Sequence, residues 1–121
     1  MNDYRQKIGR IGEELALKYY AEHGYGVIDK NWRRKFAEID LIVGNGQEII
    51  FVEVKTRRSK NYGWGELAVG FRKKQKIKHA IDLFLLENEI YKEMNIRFDV
   101  LVVELGTDNI PKYTNYEAVE L

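Results

Sequence analysis

The chain has 121 residues, of which 45% are hydrophobic and 32% charged, and its formal net charge is +1. This length predicts one domain, residues 1–121, that is large enough to bury a real core. No apolar run reaches the roughly 18–20 residues that a membrane-spanning helix needs, and the first residues lack the apolar segment of a signal peptide. Cysteine is absent, which excludes disulfides and Cys-ligated metal clusters and favours a cytoplasmic location.

Positive charge is concentrated in two segments. Residues 55–78 hold nine lysines and arginines against one acid, Glu66, and residues 30–35 hold four with no acid. Such clustering is typical of a surface that faces a polyanion, and ordinary solvated charge is the alternative. The basic residues that we expect to contact nucleic acid are Arg33, Arg34, Arg57, Arg58, Lys60, Lys73, Lys74 and Lys76.

The first predicted element is a helix over residues 3–23. Apolar or small residues recur there at helical spacing, namely Ile8, Ile11, Gly12, Leu15, Ala16, Tyr19 and Tyr20. Glu13 lies on the flank of this stripe, where it either reaches a site at the edge of the core or is simply solvated. A short strand over 25–30 and a basic link over 31–36 are expected to follow.

Residues 38–55 predict a β-hairpin. Asn45-Gly46 is a strong two-residue turn signal, because both positions accept a positive φ. This turn places residue 40 opposite 51 and residue 38 opposite 53. Since side chains alternate between the two faces of a strand, four charged groups are expected on one face near the open end of the hairpin. They are Glu38, Asp40, Glu53 and Lys55. The remaining apolar residues on both faces favour a central place in a sheet covered by helices.

The second half of the chain predicts a loop, a helix and two strands. The loop, residues 56–69, carries Tyr62 and Trp64 near its tip. The helix, residues 70–91, has an apolar stripe that continues back through Lys73 and Lys74, so that both amines are expected to point inward. A strand over 96–104 contains Asp99, and a short edge strand is expected over 116–121.

The acids of the hairpin suggest a metal site. Burying several carboxylates together is costly unless a cation neutralises them. Oxygen ligands without histidine or cysteine suit Mg²⁺ or Mn²⁺, and Asp40 and Glu53 are close enough on facing strands to share an ion. Lys55 beside them could orient water or stabilise a phosphoryl oxyanion, which favours phosphodiester hydrolysis. The alternative is a set of salt bridges at a sheet edge, since structural ion pairs also collect charges.

The sequence lacks the residues of other common catalytic and nucleotide-binding sites. Ser59 is the only serine, and neither His23 nor His79 lies near it in sequence, which argues against a Ser–His–Asp triad. The chain also has no GxxxxGK[ST] phosphate loop and no GxGxxG fingerprint.

Asp40 and Glu53-Val54-Lys55 resemble the motif of the PD-(D/E)XK nuclease superfamily. Asp40 looks like its aspartate and Glu53-Val54-Lys55 like its (D/E)XK. Ile39 stands where the superfamily has a proline, a position that is often relaxed.

A wider resemblance, from about residue 9 to 103, is to the YraN-type uncharacterised bacterial family. The residues that carry it are Gly12-Glu13 with Ala16, Gly24-Tyr25, Asn31-Trp32-Arg33, Glu38-Ile39-Asp40-Leu41-Ile42, Phe51-Val52-Glu53-Val54-Lys55, Ala68-Val69, Lys73 and Arg97-Phe98-Asp99-Val100. These motifs are specific as a set, though not singly. The family is placed among Holliday junction resolvase-like and restriction-endonuclease-like folds, which implies an α/β/α core with a mixed β-sheet flanked by helices.

The resemblance also implies roles for particular residues. Asp40 and Glu53 would bind Mg²⁺ or Mn²⁺ directly, with the Val54 carbonyl as a further ligand and Glu13 as the helix acid near the metal. Lys55 would position the attacking water, and Lys73 would contact the scissile phosphate or the active-site acids. The implied catalytic residues are therefore Glu13, Asp40, Glu53, Lys55 and Lys73. Glu38 matches the family motif without a superfamily role, and for Asp99 we favour a structural charge pair with Arg97 or a neighbouring strand.

Residues and resemblance together predict a metal-dependent endonuclease that hydrolyses DNA phosphodiester bonds, with branched or damaged DNA suggested by family analogy. The first alternative is a non-catalytic nucleic-acid-binding protein that keeps the nuclease fold. The second is a domain that binds other partners. DNA is the expected partner and RNA stays open. No membrane partner is expected. A homodimer is left open, because resolvase-like enzymes often cut two strands as dimers.

Overall fold

Two helices and five strands follow one another along the described part of the chain. The computed structural model describes residues 3–58 and 70–121. Its elements are α1 (Asp3–Glu22), β1 (Gly26–Arg34), β2 (Ala37–Gly44), β3 (Glu48–Arg57), α2 (Phe71–Glu87), a 3₁₀ turn (Glu89–Tyr91), β4 (Asn95–Glu104) and β5 (Lys112–Tyr116). No helix in these two ranges is long and apolar enough to cross a membrane.

The strands form one mixed sheet in the order β1-β2-β3-β4-β5. β3 and β4 pair in parallel, and the other three neighbouring pairs are antiparallel. A parallel pair needs a long crossover connection, and here that connection contains α2. β3 therefore lies at the centre of the sheet, as the apolar residues on both faces of its sequence predict.

Each helix covers one face of the sheet. On the α2 face, Ile77, Ala80, Ile81 and Phe84 pack on sheet residues that include Ile42 and Phe51. On the α1 face, Ala16 and Tyr20 pack on a second group of buried residues, which consists of Leu41, Val43, Ile50, Val52, Leu101 and Val103. The protein is thus a three-layer α/β/α structure with a restriction-endonuclease-like layout, which confirms the predicted fold class.

Three predicted boundaries are wrong. The second helix, expected over 70–91, ends at Glu87, and a separate 3₁₀ turn follows it. The expected basic link over 31–36 is mostly strand, because β1 continues to Arg34 and joins β2 through a two-residue turn, Lys35–Phe36. The last strand, expected over 116–121, is instead Lys112–Tyr116. Beyond it, the Val119 N–H donates to the Phe98 carbonyl at 2.8 Å. This contact holds the end of the chain on β4 without a regular ladder.

The register of the β2–β3 hairpin differs by two residues from the prediction. Leu41 pairs with Val52 and Gly44 with Ile49. The reason is the Asn45 side chain, whose Oδ1 accepts the N–H groups of Gln47 at 3.0 Å and Glu48 at 2.8 Å. These bonds move the turn one residue along, so that Gly46 and Gln47 form its centre. A shift of two residues keeps every side chain of β3 on its predicted face.

The alternation of faces along β2 breaks at Asp40. Ile39 and Ile42 both lie in the α2 core, whereas Leu41 and Val43 lie in the α1 core. The regular alternation expected for this strand would put Ile39 on the same face as Leu41, so that expectation is wrong. The break falls opposite Asn31, whose φ of 49° is an irregularity of the neighbouring strand. Asp40 therefore lies at a distortion of the sheet rather than in a regular ladder.

Candidate active site

The candidate site begins where β2 and β3 separate. The last ladder pair is Leu41–Val52, which puts Asp40 and Glu53 directly opposite each other, one step beyond it. The Val54 N–H donates to Asp40 Oδ2 at 2.9 Å. The carboxylate thus accepts a main-chain N–H that lies beyond the end of the β2–β3 ladder. This bond fixes Asp40 against β3.

Glu53 lies between two lysines. Its Oε2 is 3.3 Å from the Lys73 Nζ and 3.7 Å from the Lys55 Nζ. The Glu53 side chain is 14% exposed, whereas that of Lys73 is 44% exposed. Lys73 belongs to the first turn of α2, so its amine points inward as its position in the apolar stripe predicted. The site therefore joins β2, β3 and α2.

Helix α1 places a third acid, Glu13, near Asp40. Gly12 is buried against Thr56 of β3, and a Cβ at Gly12 would overlap the Thr56 side chain. Only glycine allows the helix to approach the strand this closely. Glu13 follows immediately and is half-buried, and its negative charge acts on Asp40. The predicted edge-of-core position of Glu13 is thus observed.

Burial and neighbouring acids change the acidity of Asp40. Burial is the largest cause that raises the pKa of Asp40, to about 7, and the charges of Glu53 and Glu13 raise it further. The Val54 hydrogen bond and the Lys73 charge oppose the shift. The carboxyl group therefore titrates near neutral pH, where an incoming cation would favour its ionised form.

The donors at this site suit a hard divalent cation. Asp40 and Glu53 offer carboxylate oxygens, the ligands that Mg²⁺ and Mn²⁺ prefer. Within residues 3–58 and 70–121, no three acidic or histidine side chains stand close enough together to enclose an ion. The arrangement fits an ion held by two carboxylates and water, as Mg²⁺ commonly is. The Val54 carbonyl and Glu13 stay predicted ligands.

A basic cleft opens beside the acids. Its volume is about 330 Å³, and its lining includes Arg33, Arg34, Lys73 and Lys76. Lys73 lines this cleft and also contacts Glu53, so the cleft and the carboxylate cluster adjoin at this residue. The surface that the basic segments predict thus exists next to the acids, although its parts come from β1 and α2.

Some predicted basic residues have protein partners. Arg34 contacts Glu87 at 2.7 Å and lies over the Trp32 ring at 4.9 Å, so it ties β1 to the end of α2. Arg33 lies 3.5 Å from Glu38, and both side chains are mostly exposed. Glu38 consequently lines the basic cleft rather than joining Asp40, Glu53 and Lys55.

Other predicted contacts lie away from the cleft. Arg58 is exposed and lies over the Tyr4 ring at 5.8 Å, on the side of α1. Arg57 donates to the Thr56 carbonyl at 3.2 Å. Lys74 is half-buried in the first turns of α2. Three further residues, Lys60, Tyr62 and Trp64, lie outside the described residues.

The sequence patterns did not single out one aromatic residue of the cleft. Phe36 is 83% exposed at the β1–β2 turn and lines the cleft with Lys73. Residues 31–36 were interpreted as a basic link, so Phe36 was not identified as a turn position. The turn between Arg34 and Ala37 contains neither glycine nor asparagine, the residues that would have signalled a hairpin there.

Comparison with known proteins identifies the family. The profile of the Uncharacterised protein family UPF0102 matches residues 12–103. The chain belongs to the UPF0102 family. This result confirms the YraN-type resemblance, and the matched region contains Glu13 and all of the residues predicted to be catalytic.

Relatives of the UPF0102 family are similar over most of their length. A UPF0102 protein from Syntrophus aciditrophicus is 44% identical over 99 residues, which is 82% of this chain and 77% of the relative. One from Alkaliphilus oremlandii is 43% identical over 101 residues, 83% of this chain and 86% of the relative. One from Caldanaerobacter subterraneus is 37% identical over 106 residues, which is 88% of this chain and 86% of the relative. All three are named only by family.

Proposed function

We propose that this protein is a metal-dependent endonuclease that hydrolyses DNA phosphodiester bonds, with branched or damaged DNA as its substrate. The observation that carries the proposal is the facing pair Asp40 and Glu53, with two lysine amines on Glu53, one of which also lines a basic cleft. Acids and amines in this arrangement suit a reaction in which negative charge develops on phosphoryl oxygens.

Each residue of the cluster has a role that follows from its position. Asp40 and Glu53 would hold Mg²⁺ or Mn²⁺, which when bound supplies Lewis acidity at a phosphoryl oxygen and a more acidic water. Lys55, beside Glu53 on the same strand, orients the attacking water. Lys73 is the more exposed amine and lies on the cleft side, so it binds the scissile phosphate. Glu13 adds negative charge that favours cation binding.

The basic cleft positions the substrate. Phosphate contacts supply most of the sequence-independent affinity of DNA-binding proteins and fix the register of the duplex. Arg33 and Lys76 line the cleft together with Lys73, so that a bound backbone would pass the carboxylates. Cutting both strands of a duplex requires two such sites, and for that reason we retain the homodimer as a prediction. The cytoplasmic location stays a prediction from the cysteine-free sequence.

A non-catalytic nucleic-acid-binding protein is the second candidate, and one observation favours it. Glu53 already has two cationic partners, Lys55 and Lys73, so the cluster can be electrostatically balanced without a metal. In that case the cleft would bind nucleic acid, and the acids would only order the lysines.

A cleavage assay separates the two candidates. Purified protein is incubated with branched, nicked, single-stranded and duplex DNA, with Mg²⁺ or Mn²⁺, beside Glu53→Ala and Asp82→Asn. Asp82 is an exposed acid of α2 away from the site, so its variant is the matched control. We expect metal-dependent cleavage by the wild type and the control and at least 100-fold less by Glu53→Ala. Cleavage that is unchanged in Glu53→Ala, or absent on every substrate, would contradict the nuclease proposal.

Salt dependence tests both candidates against a role without nucleic acid. If lysines and arginines of the cleft neutralise phosphates, log K for DNA falls linearly with log salt. Binding that is undetectable at low salt would reject nucleic acid as the partner.

A further inference from the structure

An exposed aromatic side chain stands at the tip of the β1–β2 hairpin. Arg34 pairs with Ala37, so Lys35 and Phe36 form the whole turn. Phe36 is 83% exposed, and the contact found for its ring is the Lys35 amine, 5.5 Å from the ring centre. Large apolar side chains gain free energy when they leave water, and in the free protein Phe36 forgoes most of that gain.

The backbone of Phe36 is strained as well. Its φ is 62°, a left-handed conformation that glycine and asparagine adopt readily and that bulky residues avoid. The second central position of a tight turn with positive φ is one where glycine is strongly preferred. A phenylalanine there carries both a conformational and a solvation cost, which points to use by a partner.

The surroundings of Phe36 indicate the chemistry of that partner. Phe36 lines the same cleft as Arg33, Lys73 and Lys76, so an aromatic face lies among cations that suit phosphates. A ring flanked by basic groups is the arrangement by which proteins hold single-stranded nucleic acid, with bases stacked on the ring and phosphates on the cations. Stacking requires an exposed base face, and within an intact duplex every face is covered by its neighbours.

We propose that Phe36 stacks on an unpaired or unstacked base adjacent to the phosphate at the Asp40–Glu53 cluster. The preferred substrate is then DNA with an exposed base face, such as a fork, a flap or a branch point, rather than continuous duplex. This inference rests on the proposed function, because the cluster that Lys73 joins to the cleft is taken as the cutting site. An aromatic docking point for a protein partner is the competing use of Phe36.

The first experiment measures binding in EDTA, so that no cleavage takes part. Fluorescence anisotropy gives Kd for a forked DNA, a single strand and a continuous duplex of the same length. The wild type is compared with Phe36→Ala, Phe36→Trp and Ile90→Ala. Ile90 is 79% exposed on the 3₁₀ turn and serves as the matched apolar control.

We expect Phe36→Ala to weaken fork and single-strand binding about ten-fold, in line with the loss of one aromatic–base stack, while duplex binding changes less than about two-fold. Phe36→Trp keeps the preference, because it keeps an aromatic face, and Ile90→Ala resembles the wild type. Unchanged binding of all three DNAs in Phe36→Ala, or an equal loss on all three, would overturn the inference.

A Phe36→Gly variant separates recognition from folding. Glycine accepts the positive φ, so this variant is expected to melt no lower than the wild type while losing the fork preference. A lower melting temperature together with an unchanged preference would count against a recognition role for Phe36.

Cleavage with Mg²⁺ distinguishes failure of the inference from failure of the proposed function. If wild type and Phe36→Ala cut fork and duplex alike, the nuclease stands and the Phe36 inference fails. If Phe36 sets the binding preference and no DNA is cut, the inference holds for a binding protein and the nuclease proposal fails.

Discussion

Two aspartates of the same sheet, the fully buried Asp99 and the half-buried Asp40, have opposite surroundings. Asp99 of β4 is fully buried and accepts two hydrogen bonds from the Arg97 guanidinium, both at 2.9 Å, and one from the Tyr20 hydroxyl at 2.7 Å. The Asn115 amide and the Ala118 N–H also donate to it. Asp40 of β2 accepts one hydrogen bond in the described part of the chain, from Val54, and its strongest charged neighbour is the acid Glu53.

The difference separates a charge that the protein neutralises itself from one that it does not. A buried carboxylate that is surrounded by donors and paired with arginine has its desolvation offset within the protein. Burial, and then the hydrogen bond to Asp99, raise the pKa of the Tyr20 hydroxyl, so this hydroxyl stays protonated and donates to Asp99. A carboxylate that faces other acids lacks this compensation and gains most from an external cation. Asp99 thus holds the fold together, and Asp40 is available to a ligand.

The largest predicted effect is loss of the Asp99 charge. Asp99→Asn would leave the largely buried Arg97 without its main partner, and breaking a buried pair in this way costs about 3–5 kcal/mol. Urea unfolding measures the change, with Asp82→Asn as the exposed control. Equal stability of the two variants would show that Asp99 is no more structural than a surface acid.

The next effect concerns the approach of α1 to the site. Gly12→Ala forces a methyl group into Thr56, and such overpacking costs about 1–3 kcal/mol; displacement of Glu13 should also lower cleavage. Gly9→Ala is the control in the same helix, because a Cβ at Gly9 meets nothing within 4 Å and alanine favours a helix by up to about 1 kcal/mol. Equal effects of the two substitutions would mean that close approach at Gly12 is unimportant.

A smaller effect is expected from the pH dependence of Asp40. Its pKa rises from 3.8 to about 7 on folding, so the folded protein binds more protons between these values and the Asp40 contribution to stability falls as pH rises. Asp40→Asn removes the ionisable group and therefore the loss of stability that its ionisation causes at high pH. The variant should be more stable than wild type by about 1–2 kcal/mol at pH 8, since the half-buried group is partly screened. At pH 5 the difference should be less than half as large, because only the first part of the range between the two pKa values has been crossed.

Thermal and urea unfolding at pH 5 and pH 8 check the Asp40 prediction. A stability difference between wild type and Asp40→Asn that is the same at both pH values would contradict the raised pKa. Saturating Mg²⁺ at pH 8 should stabilise the wild type and leave Asp40→Asn nearly unchanged.

The smallest predicted effect is on the salt dependence of DNA binding. Lys76→Gln removes one cation from the cleft and should reduce the slope of log K against log salt by about one. Lys92→Gln, at an exposed lysine on another part of the surface, should leave the slope unchanged. An unchanged slope in Lys76→Gln would show that this part of the cleft does not contact DNA phosphates.

Much of the fold was predictable because its pattern is local. The apolar stripes of α1 and α2 and the apolar residues of β3 and β4 mark buried faces directly, whereas the pattern left open whether Glu13 reaches the site or is solvated. The register of the hairpin was not predictable in the same way. It depends on hydrogen bonds from the Asn45 side chain that move the turn by one residue.

The candidate site was predicted in part. Asp40, Glu53, Lys55 and Lys73 come together as expected, because the shift of two residues preserves the faces of β3. Glu38 does not join them, since the alternation of β2 breaks at Asp40, a consequence of tertiary packing that the sequence period does not contain. Phe36 was missed because its turn is marked by neither glycine nor asparagine.

The proposed role of Asp40 as a metal ligand of the cutting site is central, and one measurement tests it directly. Cleavage of forked DNA is followed as Mn²⁺ is raised, for wild type and for Asp40→Asn, both shown to be folded by circular dichroism. We predict that wild-type cleavage rises with Mn²⁺ and that Asp40→Asn cleaves at least 100-fold more slowly at every concentration. Equal cleavage by the two proteins, or none by the wild type, would contradict the account.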